Sequence, residues 1–135
     1  MSFTDAVRTC INKFATFDGR ATRSEFWWFY LFALLVGFVG YVPILILTII
    51  GASSNDGAVS GILTLFSVIF WIIWLIVIVA LYIPLLAVGC RRLHDRGQSG
   101  WLQLLLLVPC GSIVLLVFWV LEGTPGDNAY GPKPV

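Results

Sequence analysis

The chain has 135 residues, of which 59% are hydrophobic and only 11% charged, with a mean hydropathy of +0.96. A soluble domain of ordinary composition carries about 25% charged residues, so a fold that faces water on all sides is excluded. The formal net charge is only +1, and the few basic residues are mixed with acids, which leaves no basic surface for nucleic acid.

Phe3, Ala6, Val7, Cys10, Ile11, Phe14 and Ala15 recur at helical spacing, with Asp5, Arg8, Thr9, Asn12 and Lys13 opposite. This pattern predicts an amphipathic helix over residues 1–16, opened by Ser2 with Asp5 three positions on. Such a helix lies in the membrane interface; the alternative is packing on the protein's own cytoplasmic loop. A polar segment, 17–25, breaks it with the turn residues Asp18 and Gly19. Thr22 with Glu25 then repeats a capping pattern and marks the start of the next helix.

Three apolar runs follow, at 26–50, 62–89 and 101–121, and none contains Asp, Glu, Lys, Arg or His. At about 1.5 Å per helical residue, each reaches or exceeds the roughly 30 Å of hydrocarbon in a bilayer. One charge at mid-membrane costs about 2.5–3.5 kcal/mol even on the lenient insertion scale, so charge-free runs of this length make lipid the solvent. Trp27, Trp28 and Tyr30 open the first run, where amphipathic rings favour the headgroup boundary. Ala33 and Gly37 form a small-xxx-small pair, with Gly40 and Pro43 beyond; packing within the chain is the simpler use of it, and dimerisation the alternative.

The connection 51–61 reads as a plain external loop. The second run is longer than a perpendicular span needs, so it tilts or projects. Trp71 and Trp74, about one turn apart, fit helix packing better than a ligand cage, and Pro84 is placed to kink the far end. An Arg-rich loop is expected over 90–100. The third run is interrupted by Pro109, Cys110 and Gly111. A single span over 101–121 is the simpler reading, and a re-entrant hairpin is the alternative. The tail, 122–135, is all turn residues without periodicity, which composition alone makes disordered.

Arg8, Lys13, Arg20 and Arg23 precede the first run, Arg91, Arg92 and Arg96 lie in the loop 90–100, and the tail adds only Lys133. With three single spans, the positive-inside rule puts the N-terminus and the Arg-rich loop in the cytoplasm and the C-terminus outside. Residues 1–23 lack the apolar stretch and cleavage site of a secretory leader, so the first span is expected to serve as an uncleaved insertion signal. Cys10, Cys90 and Cys110 are widely spaced, two of them on the reducing side, so neither a disulfide framework nor a zinc site is expected.

Three motifs together resemble one family. They are Phe17-Asp18-Gly19-Arg20-Ala21-Thr22-Arg23-Ser24-Glu25-Phe26-Trp27; Arg91-Arg92-Leu93-His94-Asp95 with Ser99-Gly100-Trp101; and Gly123-Thr124-Pro125-Gly126, Asn128, Tyr130-Gly131-Pro132 and Pro134. In this order they are similar to the signature of domain-of-unknown-function family 805, small bacterial inner-membrane proteins. Leu102 stands where many members carry a second Trp. The resemblance implies a multi-pass inner-membrane protein, supplies no function, and implies that Asn128 and Tyr130 dock the tail on the helical bundle.

The densest polar constellation is Asp18, Arg20, Arg23 and Glu25 from one segment and Arg91, Arg92, His94, Asp95 and Arg96 from the other. Its simplest use is an ion-pair lock in which Glu25 and Asp95 answer some of the arginines. Phosphate-binding arginines also suit anionic lipid headgroups, and a partner-docking site is the third use. His94 beside Asp95 invites acid–base chemistry, but no nucleophile with a supporting base accompanies them, and Ser99-Gly100 reads as a turn. The expected fold is therefore an all-α integral membrane protein, with three transmembrane helices preceded by an N-terminal amphipathic interfacial helix. The expected role is non-enzymatic and without a cofactor, acting through assembly with itself, a protein partner or anionic membrane lipid. A small channel or transporter subunit is the alternative, turning on Gln103 beside the Pro109–Gly111 break.

Overall fold

The computed structural model describes residues 1–134. Helix α1 (Phe3–Asn12) is opened by Ser2, whose side chain accepts from the Asp5 amide at 3.2 Å. The Ser2 hydroxyl also donates to the Asp5 carboxylate, which holds that acid below the usual carboxylate range. Helix α2 (Arg23–Ser53) starts where Thr22 Oγ1 accepts from the Glu25 amide at 3.1 Å. Helix α3 (Gly57–Asp95) starts where Asp56 Oδ1 accepts from the amides of Ala58 and Val59. A 3-10 helix (Gly100–Leu107) and helix α4 (Gly111–Val120) complete the order, and no sheet forms among the described residues. With 31 and 39 residues, α2 and α3 are about 46 and 58 Å long, enough to cross a bilayer.

The chain divides into two compact units, Phe32–Leu81 and the remainder, Met1–Leu31 with Tyr82–Val135. In the first, the end of α2 and the start of α3 form a helical hairpin. Trp74 lies over Gly37 and Gly40: its indole donates to the Gly37 carbonyl at 2.9 Å, and a Cβ at Gly40 would collide with the ring. The glycines of the expected small-residue stripe thus serve packing inside the chain. Outward faces are apolar, with Phe38, Leu65 and Ile76 each more than 60% exposed. Asp56 is the unit's only charged residue. Apolar surface on this scale belongs in lipid rather than water.

The second unit differs from the sequence expectation at two places. Residues 90–95, expected in a loop, are the last turns of α3, because nothing before Gly97 breaks the helix. Gly97, at φ +71°, ends it, its amide donating to the His94 carbonyl at 2.8 Å and that of Gln98 to Leu93 at 3.0 Å. The single span expected over 101–121 is instead two short pieces, the 3-10 helix and α4, about 16 and 15 Å long by their residue counts. Neither crosses a bilayer alone. Pro109 cannot extend the ladder, Cys110 turns the chain in the left-handed region at φ 63°, and Gly111 lets α4 press against the Leu105 backbone, where a Cβ would clash. The run is a hairpin that returns to the end of α3 it left. The tail is accordingly at that same end, and not at the far side to which a single span would carry it.

Candidate functional site

The end of α3, the segment before α2 and the tail meet in a buried polar cap. Arg91 and Arg92 follow each other in sequence and point to different partners. Arg91 Nη1 donates to Glu25 Oε1 at 2.5 Å, with both side chains buried. Its remaining nitrogens, Nε and Nη2, are buried and unpartnered among the described protein atoms. Arg92 Nη1 donates to Asp95 Oδ2, one turn along the helix. Asp95 Oδ1 accepts from Arg20 Nε at 2.8 Å, so one carboxylate lies between two guanidinium groups, all three side chains at most 7% exposed.

Three buried arginines face two acids, and backbone carbonyls make up the difference. The last carbonyls of α4 have no partner within the helix and carry the negative end of its dipole. Arg92 Nε donates to Trp119 O at 3.2 Å and Nη2 to Leu121 O. Arg96 Nη1 donates to Glu122 O at 2.7 Å, and exposed Arg23 reaches Val120 O at 3.4 Å. Arg20 works likewise on the tail, with Nη1 donating to Gly126 O at 2.7 Å and Nη2 to Thr124 O at 3.0 Å. Guanidinium groups suit this role because five fixed donors serve several acceptors at once.

The tail closes the cap from outside. Thr124 donates from its amide and its hydroxyl to the Asp95 carbonyl, at 2.9 and 3.1 Å. Asn128 Nδ2 donates to His94 O at 2.9 Å, and the Tyr130 ring stacks flat on the His94 imidazole at 3.9 Å. His94 Nδ1 donates to Gly19 O at 3.1 Å, which in a neutral ring turns Nε2 to the Cys90 thiol at 3.6 Å as acceptor. One face of the imidazole is thus covered and both of its nitrogens have partners within the chain. From α1, Cys10 packs beneath Glu25, its thiol 3.8 Å from Oε1. Burial first, then the Glu25 charge, pushes that thiol up to about 12.

Of the nine cluster residues read from sequence, Arg20, Glu25, Arg91, Arg92, His94 and Asp95 are buried together. Arg96 is half-buried and lies over the Phe118 ring at 5.9 Å. Arg23 and Asp18 are exposed; Arg23 pairs with Glu122 at 3.3 Å, and Asp18 stands outside these ion pairs. Sequence reasoning gave Cys10 no place in the cluster, and it named Gly123 and Thr124 only as part of the tail motif, without their contacts to Asp95. Gly123 runs so close to the Asp95 carboxylate that a Cβ would overlap it, and no periodicity marks such a contact. Gln103, on which a transport reading would turn, donates to Leu86 O at 2.8 Å. Among the described residues, no group of three His, Cys, Asp or Glu is arranged to hold a metal ion.

Residues 14–132 match a family described as protein of unknown function (DUF805). Two Escherichia coli K12 proteins are similar over nearly their whole length. Inner membrane protein YhaI is 36% identical over 125 residues, covering 92% of this chain and 90% of its own. Inner membrane protein YhaH is 36% identical over 126 residues, covering 92% and 91%. No solved structure matches.

Proposed function

The chain belongs to the DUF805 family of proteins of unknown function, and from that premise we propose a multi-pass inner-membrane protein that works by assembly and not by catalysis. Two spanning helices carry a cytoplasmic cap, and the hairpin 100–121 dips to about half the bilayer depth and returns. All eight Lys and Arg belong to the unit that carries the cap, and none to Phe32–Leu81. By the positive-inside rule that end faces the cytoplasm, tail included. The sister proteins' names as inner membrane proteins agree with this location.

The observation that carries the reading is the internal use of the buried arginines. Arg20 and Arg92 spend their donors on Asp95 and on the chain's own carbonyls, and Arg91 pairs with Glu25. They form a lock that fixes one arrangement of three chain segments and commits most donors of Arg20 and Arg92 to the chain itself. What the lock presents outward is a rigid platform for a second copy or another membrane protein. Native mass spectrometry of the full chain, extracted gently from its own membrane, tests this. A defined homo-oligomer or a stoichiometric complex with another membrane protein is expected. A bare monomer under conditions that preserve known membrane complexes would overturn it.

A further inference from the structure

Beside the cap lies a cavity of about 560 Å³, within the ligand-sized range of roughly 300–1,000 Å³. One wall is the last part of α3, where Tyr82, Leu86 and Cys90 stand four residues apart on one helix face. The other wall is the 3-10 helix, with Trp101, Leu104 and Leu107. Trp101 and Leu107, 80% and 83% exposed, form its rim. Few polar groups line it: the Gln103 amide nitrogen donates to Leu86 O and the Cys90 thiol meets His94, which leaves the Tyr82 hydroxyl, the Trp101 indole and the Gln103 side-chain carbonyl. Most of its wall is aliphatic or aromatic carbon, so it suits an apolar occupant better than a cluster of waters, each of which needs two to four polar partners.

We propose that the cleft is a binding site for one acyl chain of a membrane phospholipid. The proposal rests on the membrane reading above and adds to it a fixed lipid site. Three features select this occupant over a protein segment. The cleft follows the 3-10 helix for about 16 Å, the length of half a bilayer, so its shape is that of an extended chain. Its side-chain hydrogen-bonding groups, chiefly those of Tyr82, Trp101 and Gln103, are too few to meet the amides and carbonyls of an extended peptide of that length, which could not enter with them unmet. Its polar end, at Gly100, abuts Cys90 and His94 of the cap, which puts a headgroup at the cap's level and the chain along the hairpin. The hairpin leaves this gap because it is too short to span and too tightly turned at Gly111 to close on α3.

The test uses the full-length protein in vesicles of phosphatidylethanolamine and phosphatidylglycerol, with a trace of phosphatidylethanolamine bearing a mid-chain diazirine. After irradiation, adducts are mapped by peptide mass spectrometry. Labelling of 82–90 and 101–107 is expected to exceed that at lipid-facing Phe38, Leu65 and Ile76 by at least threefold. Filling the cleft with Leu104→Trp, or from the other wall with Leu86→Phe, should remove the excess while leaving the reference positions unchanged. Labelling in proportion to exposure alone would overturn the site. So would an excess that survives both fillers in protein that still assembles. Absence of label at the reference residues as well would instead refute the membrane reading.

Discussion

Replacing Asp95 by Asn removes the one charge that two buried guanidinium groups share. Arg20 and Arg92 have side chains only 1% exposed, and Asp95 accepts from Arg20 at 2.8 Å and from Arg92 on its other oxygen. The amide keeps one acceptor and puts an N–H₂ against a guanidinium N–H. The local charge rises from +1 to +2 in a site that water does not reach. Removing one partner of a buried ion pair costs about 3–5 kcal/mol, and here one removal strands two cations, so the loss belongs at the top of that range. Whole domains are stable by only about 5–15 kcal/mol, so the variant should be near its unfolding limit. The matched control is Glu122→Gln, which breaks the Arg23 pair at side-chain exposures of 52% and 83% and should cost under about 1 kcal/mol. Denaturant titration of purified protein in mild detergent, followed by tryptophan fluorescence, reads both. Trp119 lies in the cap, 4.8 Å from the Phe26 ring and hydrogen-bonded to Gly89 O, and reports locally. An Asp95→Asn protein within about 1 kcal/mol of the parent, or no more damaged than Glu122→Gln, would refute the lock.

Glu25→Leu alone should destabilise by about 3 kcal/mol or more by leaving Arg91 buried and unanswered, and adding Arg91→Met should recover most of that loss in the same titration. Gly111→Ala drives a methyl into the Leu105 backbone and should cost about 1–3 kcal/mol, whereas Gly126→Ala, with open space around it, should be close to neutral. Raising pH from about 9 to 12 deprotonates Cys10 in the unfolded chain before the folded one, so stability should fall across that window. Cys10→Ala should flatten that part of the profile, which a pH series of melts would show.

The two long apolar helices were legible because a lipid-facing helix must be apolar at every residue, and 26–50 and 62–89 carry no charge at all. The cap's residue types were legible too, since nine charged or titratable side chains crowd into two short segments. Their partners were not, because ion pairs such as Arg20 with Asp95 join residues 75 apart and follow from how the chain turns. The hairpin was the misleading element. Its composition is that of a span, and only the Pro109-Cys110-Gly111 break records that the chain doubles back. Nor does composition disclose that the tail's turn residues present carbonyls to Arg20 rather than to water.

The most direct test of the account is the side of the membrane on which the tail lies. A single cysteine at exposed Lys133 (K133C), in a chain whose native cysteines are replaced, is offered a membrane-impermeant maleimide in spheroplasts and in inverted vesicles. A second cysteine at Asn55, in the connection between α2 and α3, serves as the opposite-face control. The account predicts that Lys133→Cys reacts only in inverted vesicles and Asn55→Cys only in spheroplasts. Labelling of Lys133→Cys from the outside would contradict it, because a tail beyond the membrane cannot be held by Arg20 and Asp95.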